Sequence, residues 1–256
     1  GGEACVYDKA RVYDKARVYD EACVYGEARV GGEACVYDKA RVYDEACVGG
    51  EACVYDKARV YDKARVFCDA CVYDEARVGG EACVYDKARV YDEACVYGEA
   101  CVYDKARVYD KARVYDEACV YDEACVYDKA RVYDKARVYD EACVYGEAIV
   151  GGEAIVSGNA EIGGHAVIKD NSDYSVYKNT WSSMRWVTHT RSDRMWKAGC
   201  FRGTGEELIA KAYGDGELSG RCYEAIVRAQ EAIEIAINRA TGEKYETIIK
   251  NTKEAK

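Results

Sequence analysis

The chain has 256 residues, a formal net charge of −10, 15 cysteines, 25 tyrosines and no proline. Average usage predicts roughly 13 prolines at this length, so their absence requires a structural cause. The cysteine content lies below the roughly 8–10% of small secreted disulfide scaffolds. No apolar stretch reaches the roughly 18 residues of a membrane helix, and no signal peptide opens the chain. Composition therefore disfavours membrane proteins and secreted mini-proteins.

A six-residue repeat occupies the first two thirds of the chain. Valine stands at position 6 and at every sixth position through Val156, and Ile162 and Ile168 continue the series. Alanine occupies every sixth position from Ala4 to Ala166. The commonest units are Val-Tyr-Asp-Lys-Ala-Arg and Val-Tyr-Asp-Glu-Ala-Cys, and no insertion or deletion breaks the period over 28 hexads. A fixed short period is the primary signal of a repeat architecture.

The period of six predicts short strands that wind into a triangular solenoid. Helical periods of 3.5 and 3.6 residues drift against it, whereas valine and tyrosine favour strands. Each alanine and the valine two residues later face one side, so the arginine or cysteine between them faces outward. Aspartate or glycine follows the tyrosine position, and both residue types tolerate the left-handed or turn backbone conformation of a corner. Three hexads then form an 18-residue coil, and parallel pairing between coils excludes proline.

The repeat resembles that of hexapeptide-repeat proteins. Residues 162–167, Ile-Gly-Gly-His-Ala-Val, match that motif best, and most other hexads differ by having tyrosine where glycine is common. The resemblance covers residues 1–168 and implies a left-handed parallel β-helix, a fold that acyltransferases and structural proteins of this kind share. Two later stretches, 190–197 and 203–209, resemble the C-terminal part of uncharacterised bacteriophage and bacterial members, which brings no activity with it.

Residues 18 apart are expected to stack about 4.8 Å apart on neighbouring coils. One corner carries an unbroken tyrosine column with an aspartate column beside it, and we predict that the two columns form an interaction surface. Their members are Tyr19, Tyr37, Tyr55, Tyr73, Tyr91, Tyr109, Tyr127, Tyr145, Asp20, Asp38, Asp56, Asp74, Asp92, Asp110 and Asp128. The competing interpretation is that like residues stack only because the repeats were duplicated.

Cysteines are predicted to form short columns as well. Two such columns comprise Cys35, Cys53 and Cys71, and Cys83, Cys101 and Cys119. Strands in register bring their Cα atoms within disulfide reach but rarely give the required side-chain geometry, so we expect reduced thiols. No C-x-x-C motif occurs, and His165 and His189 are the only histidines, so neither a metal nor another cofactor is expected.

The repeat ends near Asp170, which predicts a solenoid of about nine coils over 1–170 and a second domain over 171–256. The first part has a net charge of −12 and the second a net charge of +2. The expected fold class is mainly β, a left-handed parallel β-helix followed by a small α+β capping domain.

Local signals predict the elements of the second domain. Thr204 and Glu207 form a capping-box pattern at the start of a helix. The predicted elements are strands over about 175–201 and helices over about 206–213, 217–240 and 243–254. A solenoid needs a cap on its last coil, and the candidate capping residues are Trp181, Trp186, Trp196 and Phe201.

These features favour a structural or interaction protein, a rigid acidic scaffold with a C-terminal capping or oligomerisation domain. We expect a protein partner, whose identity the sequence leaves open, and homo-oligomerisation through residues 171–256. The acidic charge argues against nucleic-acid binding, and no membrane association is expected. The resemblance implies that the protein is located in the cytoplasm of a bacterial host and is related to phage proteins.

Three different functions remain open from the sequence, and the first is that of an acyltransferase. Hexapeptide-repeat acyltransferases use a histidine near the coil interface and loops that protrude from the solenoid. This repeat has no inserted loop and His165 is predicted to face outward at a corner, so we assign no catalytic residue and expect no enzyme. The second is an acidic decoy of a nucleic-acid-binding protein, and the third is a fibre assembled through exposed coil ends.

Overall fold

The computed structural model describes residues 2–242. The chain forms two compact units, Gly1–His165 and Ala166–Lys256. Neither unit contains, within the described range, a helix long and apolar enough to cross a membrane.

The first unit is a parallel β-solenoid in which every strand has two residues, an outward-facing residue followed by valine or isoleucine. Its strands are β1 (Cys5–Val6), β2 (Arg11–Val12), β3 (Arg17–Val18), β4 (Cys23–Val24), β5 (Arg29–Val30), β6 (Cys35–Val36), β7 (Arg41–Val42), β8 (Cys47–Val48), β9 (Cys53–Val54), β10 (Arg59–Val60), β11 (Arg65–Val66), β12 (Cys71–Val72), β13 (Arg77–Val78), β14 (Cys83–Val84), β15 (Arg89–Val90), β16 (Cys95–Val96), β17 (Cys101–Val102), β18 (Arg107–Val108), β19 (Arg113–Val114), β20 (Cys119–Val120), β21 (Cys125–Val126), β22 (Arg131–Val132), β23 (Arg137–Val138), β24 (Cys143–Val144), β25 (Ile149–Val150), β26 (Ile155–Val156) and β27 (Glu161–Ile162).

Three parallel sheets run along this solenoid, and each is built from every third strand. Pairing places equivalent residues of neighbouring coils opposite each other, as Val60 pairs with both Val42 and Val78. One coil therefore has 18 residues, and the parallel solenoid of about nine coils predicted from the sequence is confirmed. The left-handed winding that the resemblance implies stays a prediction.

Alanine and valine form the interior of the solenoid, as the alternation predicts. From Ala22 to Ile162 every residue at these two positions is at most 1% exposed. Val6 and Val12 in the first coil are 47% and 36% exposed, because among the described residues their strands have one neighbouring strand each. Burial of small apolar side chains along a narrow axis thus holds the coils together.

A ladder of backbone hydrogen bonds joins successive coils. The N–H groups of Arg59, Tyr61 and Lys63 donate to carbonyl oxygens of the next coil at 2.9, 3.0 and 2.9 Å. The same three positions donate in most other hexads. Because proline has no N–H and would leave a ladder acceptor unpaired, this ladder explains why the chain contains none.

Each hexad turns its corner at the residue after tyrosine, and that residue has a left-handed backbone. Seventeen aspartates occupy this position with φ between 54° and 59°. Aspartate tolerates this region better than most residues because its short side chain can bond locally. Asp110, for example, accepts a hydrogen bond from the Asp128 N–H at 3.4 Å, and its own N–H donates to the Asp92 carboxylate at 3.3 Å. The corner aspartates therefore link successive coils as well as turning the chain.

The second unit contains an antiparallel sheet and two helices. Its elements are β28 (Val167–Ile168), a 3-10 helix (Asn171–Asp173), β29 (Tyr174–Lys178), β30 (Trp186–Thr190), β31 (Met195–Ala198), β32 (Phe201–Gly203), α1 (Gly205–Asp215) and α2 (Glu217–Thr241). Strands β29 to β32 pair in chain order. The core of this unit lies between the sheet and the helices and includes Val187, Trp196, Leu208, Tyr223 and Val227.

The helices begin and end where the sequence signals place them. Thr204 caps α1 by accepting a hydrogen bond from the Glu207 N–H at 3.3 Å, and the Glu207 carboxylate accepts from the Thr204 N–H at 2.8 Å. Gly242, with φ of 70°, ends α2. The predicted α+β character and the first two helices are thus confirmed, while the helix predicted over 243–254 lies outside the described residues.

Candidate functional site

The tyrosine column predicted from the sequence is a continuous stack of rings. We name as the continuous corner the column of Tyr19 to Tyr145 together with the aspartates that follow those tyrosines. Seven successive ring pairs of this column have centroids 4.9–5.2 Å apart and planes within 9° of each other. This spacing equals the strand separation, so the rings stack because the coils do.

The aspartates of the continuous corner line a groove that runs along the solenoid. It consists of two adjoining sections of about 370 and 680 Å³, which share Asp74 and Glu75. The lining residues are Asp20, Glu21, Asp38, Lys39, Asp56, Lys57, Asp74, Glu75, Asp92, Glu93, Asp110, Lys111, Asp128, Lys129, Gly146 and Glu147. The structure therefore brings all seven predicted aspartates to one groove. Whether a partner binds there stays a prediction.

The second wall of this groove carries lysines and glutamates that pair between coils. The Lys57 ammonium lies 2.7 Å from the Glu75 carboxylate, and the Lys129 ammonium lies 3.2 Å from that of Glu147. Lys39 and Lys111 pair in the same way with the preceding coil. These pairs are exposed and add little to stability, but they neutralise the lysines and leave the groove an excess of aspartate charge.

The phenols of the column remain protonated over the physiological pH range. Burial is the main factor that raises the pKa of Tyr37, Tyr73 and Tyr109 to about 12. Nearby acidic groups, among them Cys53 and Asp38 in the case of Tyr37, contribute to the raised pKa. Each ring therefore offers a hydroxyl donor, and the continuous corner presents donors and carboxylate acceptors at the same period.

The tyrosine columns of the other corners are interrupted, and the last ring before a gap leans into it. A Cβ built on Gly79 would lie 2.3 Å from the Tyr61 ring. Correspondingly, the Tyr43 and Tyr61 rings are 5.5 Å apart and tilted by 11°. Glycine at this position thus breaks the stack, which distinguishes these corners from the continuous corner.

The cysteine columns also form as predicted, and all fifteen cysteines are free thiols. Cys101 pairs in register with Cys83 and Cys119. Hydrogen bonding with Cys101 lowers the pKa of Cys83 and of Cys119. The Cys101 thiol has one proton and therefore stabilises one of these two thiolates at a time. No group of residues among positions 2–242 has the arrangement of a metal site.

A pocket in the second unit was not predicted from the sequence. It measures about 390 Å³, and its lining includes His189, Arg194, Trp196, Gln230 and Glu234. His189 is 3% exposed, and its Nδ1 lies 3.3 Å from Glu234 Oε1. The sequence signal for this pocket is the pair of polar residues four apart on α2, Gln230 and Glu234. The contact between strand β30 and helix α2 could not be predicted, because the two elements are distant in sequence.

Burial controls the protonation of the two titratable groups in this pocket. Burial, together with the nearby Arg194 charge, lowers the pKa of His189 to about 4. It raises the pKa of the Glu234 carboxyl. At neutral pH the imidazole is therefore uncharged. Gln230 is fixed between Glu234 and the Tyr177 hydroxyl at 3.2 and 2.6 Å, so the pocket has a rigid polar wall.

The four candidate capping residues occupy different positions in the second unit. Trp196 is 2% exposed and lies in its core, while Trp181 and Phe201 pack against that core. Trp186 is 38% exposed and lies under the Lys178 ammonium at 4.9 Å. In the first unit, the His165 side chain is 78% exposed and its Nδ1 lies 3.4 Å from the Glu147 carboxylate, so it faces outward as predicted.

Comparison with protein-family models, with curated proteins and with solved structures finds no match.

Proposed function

We propose that the protein is a structural scaffold that binds a protein partner along the continuous corner. The observation that carries the proposal is the unbroken run of eight stacked tyrosines from Tyr19 to Tyr145 beside a groove lined by aspartates. The ladder of hydrogen bonds between coils makes this surface rigid, so binding costs little conformational entropy on this side.

The chemistry of the groove favours a partner with basic side chains. Its lysines are paired with glutamates from neighbouring coils, whereas the aspartate row carries an excess of negative charge. Tyrosine rings supply large contact areas at low entropic cost and are enriched in binding hot spots. A basic protein segment extended along the solenoid would contact several equivalent tyrosines in succession.

The second unit completes the proposal as the capping or oligomerising part of the scaffold. We further propose that the protein acts in the cytoplasm of a bacterial host and is related to phage proteins, on the basis of the repeat and C-terminal resemblances. Light scattering on the full chain tests the oligomer directly. A monomer at micromolar concentration would remove oligomerisation from the proposal.

The partner surface is tested with two matched double variants of the full chain. Tyr73→Ser with Tyr91→Ser disrupts three stacked pairs of the continuous corner. Tyr103→Ser with Tyr121→Ser disrupts three pairs of another corner. Each protein is immobilised and exposed to a bacterial lysate, and captured proteins are quantified by mass spectrometry against the unmodified chain.

The expected result is that a basic protein is retained by the unmodified chain and by the Tyr103 and Tyr121 variant. The Tyr73 and Tyr91 variant should bind it about 30- to 1000-fold more weakly, since two tyrosine hot spots of roughly 1–2 kcal/mol each contribute roughly 2–4 kcal/mol together. Equal retention by all three proteins would contradict a role for the continuous corner and would direct attention to the second unit.

A further inference from the structure

The twelve cysteines of the repeat occupy one hexad position and share one local contact. Each places its sulfur 3.3–3.7 Å from the carbonyl oxygen two residues earlier. Cys125 differs from the others because Arg107 Nη2 also donates to its sulfur at 3.2 Å. Over residues 2–242 no second arginine makes such a bond to a repeat cysteine. Cys125 is 6% exposed and is the buried member of this set.

The residue stacked on the other side of Cys125 is a second thiol. Arg107, Cys125 and Cys143 follow one another in register on three successive coils of one sheet. Hydrogen bonding from Cys143 and the positive charge of Arg107 lower the pKa of Cys125 to about 6. The pKa of the Cys143 thiol is raised. Cys125 is thus held as a thiolate between a guanidinium and a protonated thiol.

The same sheet contains a matched arrangement without the sulfur–arginine bond. Arg17, Cys35 and Cys53 also follow one another in register on three successive coils. Here Cys35 is the counterpart of Cys125, and Cys53 is the counterpart of Cys143. Burial is the main factor that raises the pKa of Cys53, and the pKa of Cys143 is raised as well. The hexad position and the pairing of one arginine with two successive cysteines are therefore the same. The hydrogen bond from Arg107 and the deeper burial of Cys125 distinguish this site from that of Cys35.

We propose that Cys125 is a hydroperoxide-reactive cysteine and that Cys143 is its resolving thiol. Thiolates react with peroxides and thiols do not, and sensor cysteines typically have a cationic neighbour and a resolving cysteine nearby. Hydrogen peroxide is a small molecule and needs to reach only the sulfur of Cys125. The neighbouring Cys143 is half-buried. Oxidation by a peroxide would thus form a disulfide bond between two neighbouring coils.

The reaction has two steps, with hydrogen peroxide as the oxidant. The Cys125 sulfur attacks one peroxide oxygen, the O–O bond breaks, and the leaving hydroxide takes a proton and departs as water. This step oxidises the sulfur by two electrons to the sulfenic acid. The Cys143 sulfur then attacks the sulfenic sulfur, the S–O bond breaks, and a second water leaves with the Cys143 proton, so that a disulfide remains.

The spacing between the paired strands is compatible with a disulfide between Cys125 and Cys143. In-register parallel strands lie about 4.8 Å apart, which falls within the roughly 4.4–6.8 Å separation of Cα atoms in disulfides. Both cysteines face outward from the sheet, so the bond can form without disturbing the alanine and valine interior. Because strands in register rarely give the side-chain geometry of a disulfide, closure of the bond requires the Cys143 side chain to rotate toward the oxidised sulfur.

The test treats the reduced full chain at pH 6 with one equivalent of hydrogen peroxide. Free thiols are then blocked with a maleimide, the protein is denatured, and it is cleaved after glutamate. This cleavage separates Cys125 in peptide 124–141 from Cys143 in peptide 142–147, and it places Cys35 alone in peptide 34–45. Mass spectrometry follows the appearance of the disulfide between the first two peptides.

We expect the Cys125–Cys143 disulfide to form about tenfold faster than any oxidation of Cys35, because the larger thiolate fraction outweighs its lower intrinsic nucleophilicity. Arg107→Gln should slow this oxidation about tenfold, whereas the matched control Arg17→Gln should leave it unchanged. Circular dichroism of both variants checks that the solenoid is intact, and maleimide labelling of Cys125 at pH 6 provides a second readout independent of disulfide closure.

Three results would overturn the proposal. The first is oxidation of Cys125 no faster than that of Cys35. The second is an unchanged rate in Arg107→Gln. The third is faster oxidation of Cys83 and Cys101, whose stacked thiols lack the arginine bond and lie in peptides 82–93 and 100–117.

Discussion

The two units of this protein are held together in different ways. In the solenoid, one residue pattern repeats, and strand pairing joins positions 18 apart, as in the Val60 pairing with Val42 and Val78. In the second unit every buried contact occurs once. Tyr177, for example, donates to Gln230, 53 residues away, at 2.6 Å. The solenoid therefore distributes its stability over many equal interfaces, whereas the second unit depends on a few particular residues.

This difference has a direct consequence for substitutions. Stability of a solenoid is approximately a sum over neighbouring repeats, so a single change weakens one or two interfaces among about nine coils. A change in the core of the second unit removes a contact that no other residue replaces. Four measurements test how far this contrast extends.

The largest expected effect is on the second unit. Trp196→Ala should destabilise this unit by about 3–5 kcal/mol, because a large buried aromatic side chain is replaced by a cavity. We expect the unit to unfold while the far-ultraviolet signal of the solenoid persists during urea titration. The control Trp186→Ala, at an exposed residue, should cost less than about 1 kcal/mol. Loss of both units together in Trp196→Ala would contradict the contrast.

A core substitution in the middle of the solenoid should have a smaller effect. Val90→Ala removes two methyl groups from a position with 0% exposure and should cost about 2–3 kcal/mol. Val12→Ala in the first coil, where valine is 36% exposed, should cost less than half of that. Denaturant midpoints of the two variants provide the comparison. Equal losses would show that the first coil is as tightly packed as the middle.

The buried histidine should make the stability of the second unit depend on pH. The pKa of His189 is about 4 in the folded state and about 6.5 when unfolded, so the unfolded chain binds more protons between these values. Stability from this residue is therefore full above pH 6.5 and is lost as the pH falls towards 4. Burial raises the pKa of Glu234, which acts in the opposite direction.

We expect His189 alone to cost about 2 kcal/mol of stability between pH 6.5 and 4.5, and the raised pKa of Glu234 makes the net loss smaller. His189→Gln should abolish most of that dependence, as measured by urea denaturation at several pH values. His165→Gln, at an exposed residue, serves as the control and should leave the dependence unchanged. A His189→Gln profile identical to that of the unmodified chain would refute the assignment.

The smallest expected effect is a gain of stability. Gly79→Tyr should return the Tyr61 ring to the stacked position and join it to the Tyr97 column. Each restored aromatic pair contributes roughly 0.5–1.5 kcal/mol, so we expect a stabilisation of about 1 kcal/mol. Gly79→Ala adds a Cβ without a ring and should give no gain. Melting temperatures decide between these outcomes, and a destabilised Gly79→Tyr would mean that the stack contributes nothing.

The contrast between the units also explains which features could be predicted. The exact period determined the parallel pairing, the alanine and valine interior and the outward arginine and cysteine, because every coil imposes the same register on the next. It likewise placed the tyrosine and aspartate columns of the continuous corner. In the second unit, only local signals such as the Thr204 and Glu207 capping box were readable.

The sequence by itself thus determined the solenoid, the exclusion of proline and the location of its columns. Only the tertiary structure decided which of twelve equivalent cysteines receives a hydrogen bond from an arginine, since rotamers at Cys125 and Arg107 are not encoded by the period. Only the tertiary structure brought His189 next to Glu234, because contacts between distant segments depend on how the sheet and helices pack. In the solenoid, the repeated local pattern specifies the contacts between coils. In the second unit, which has no repeat, the contacts between distant segments are set by packing.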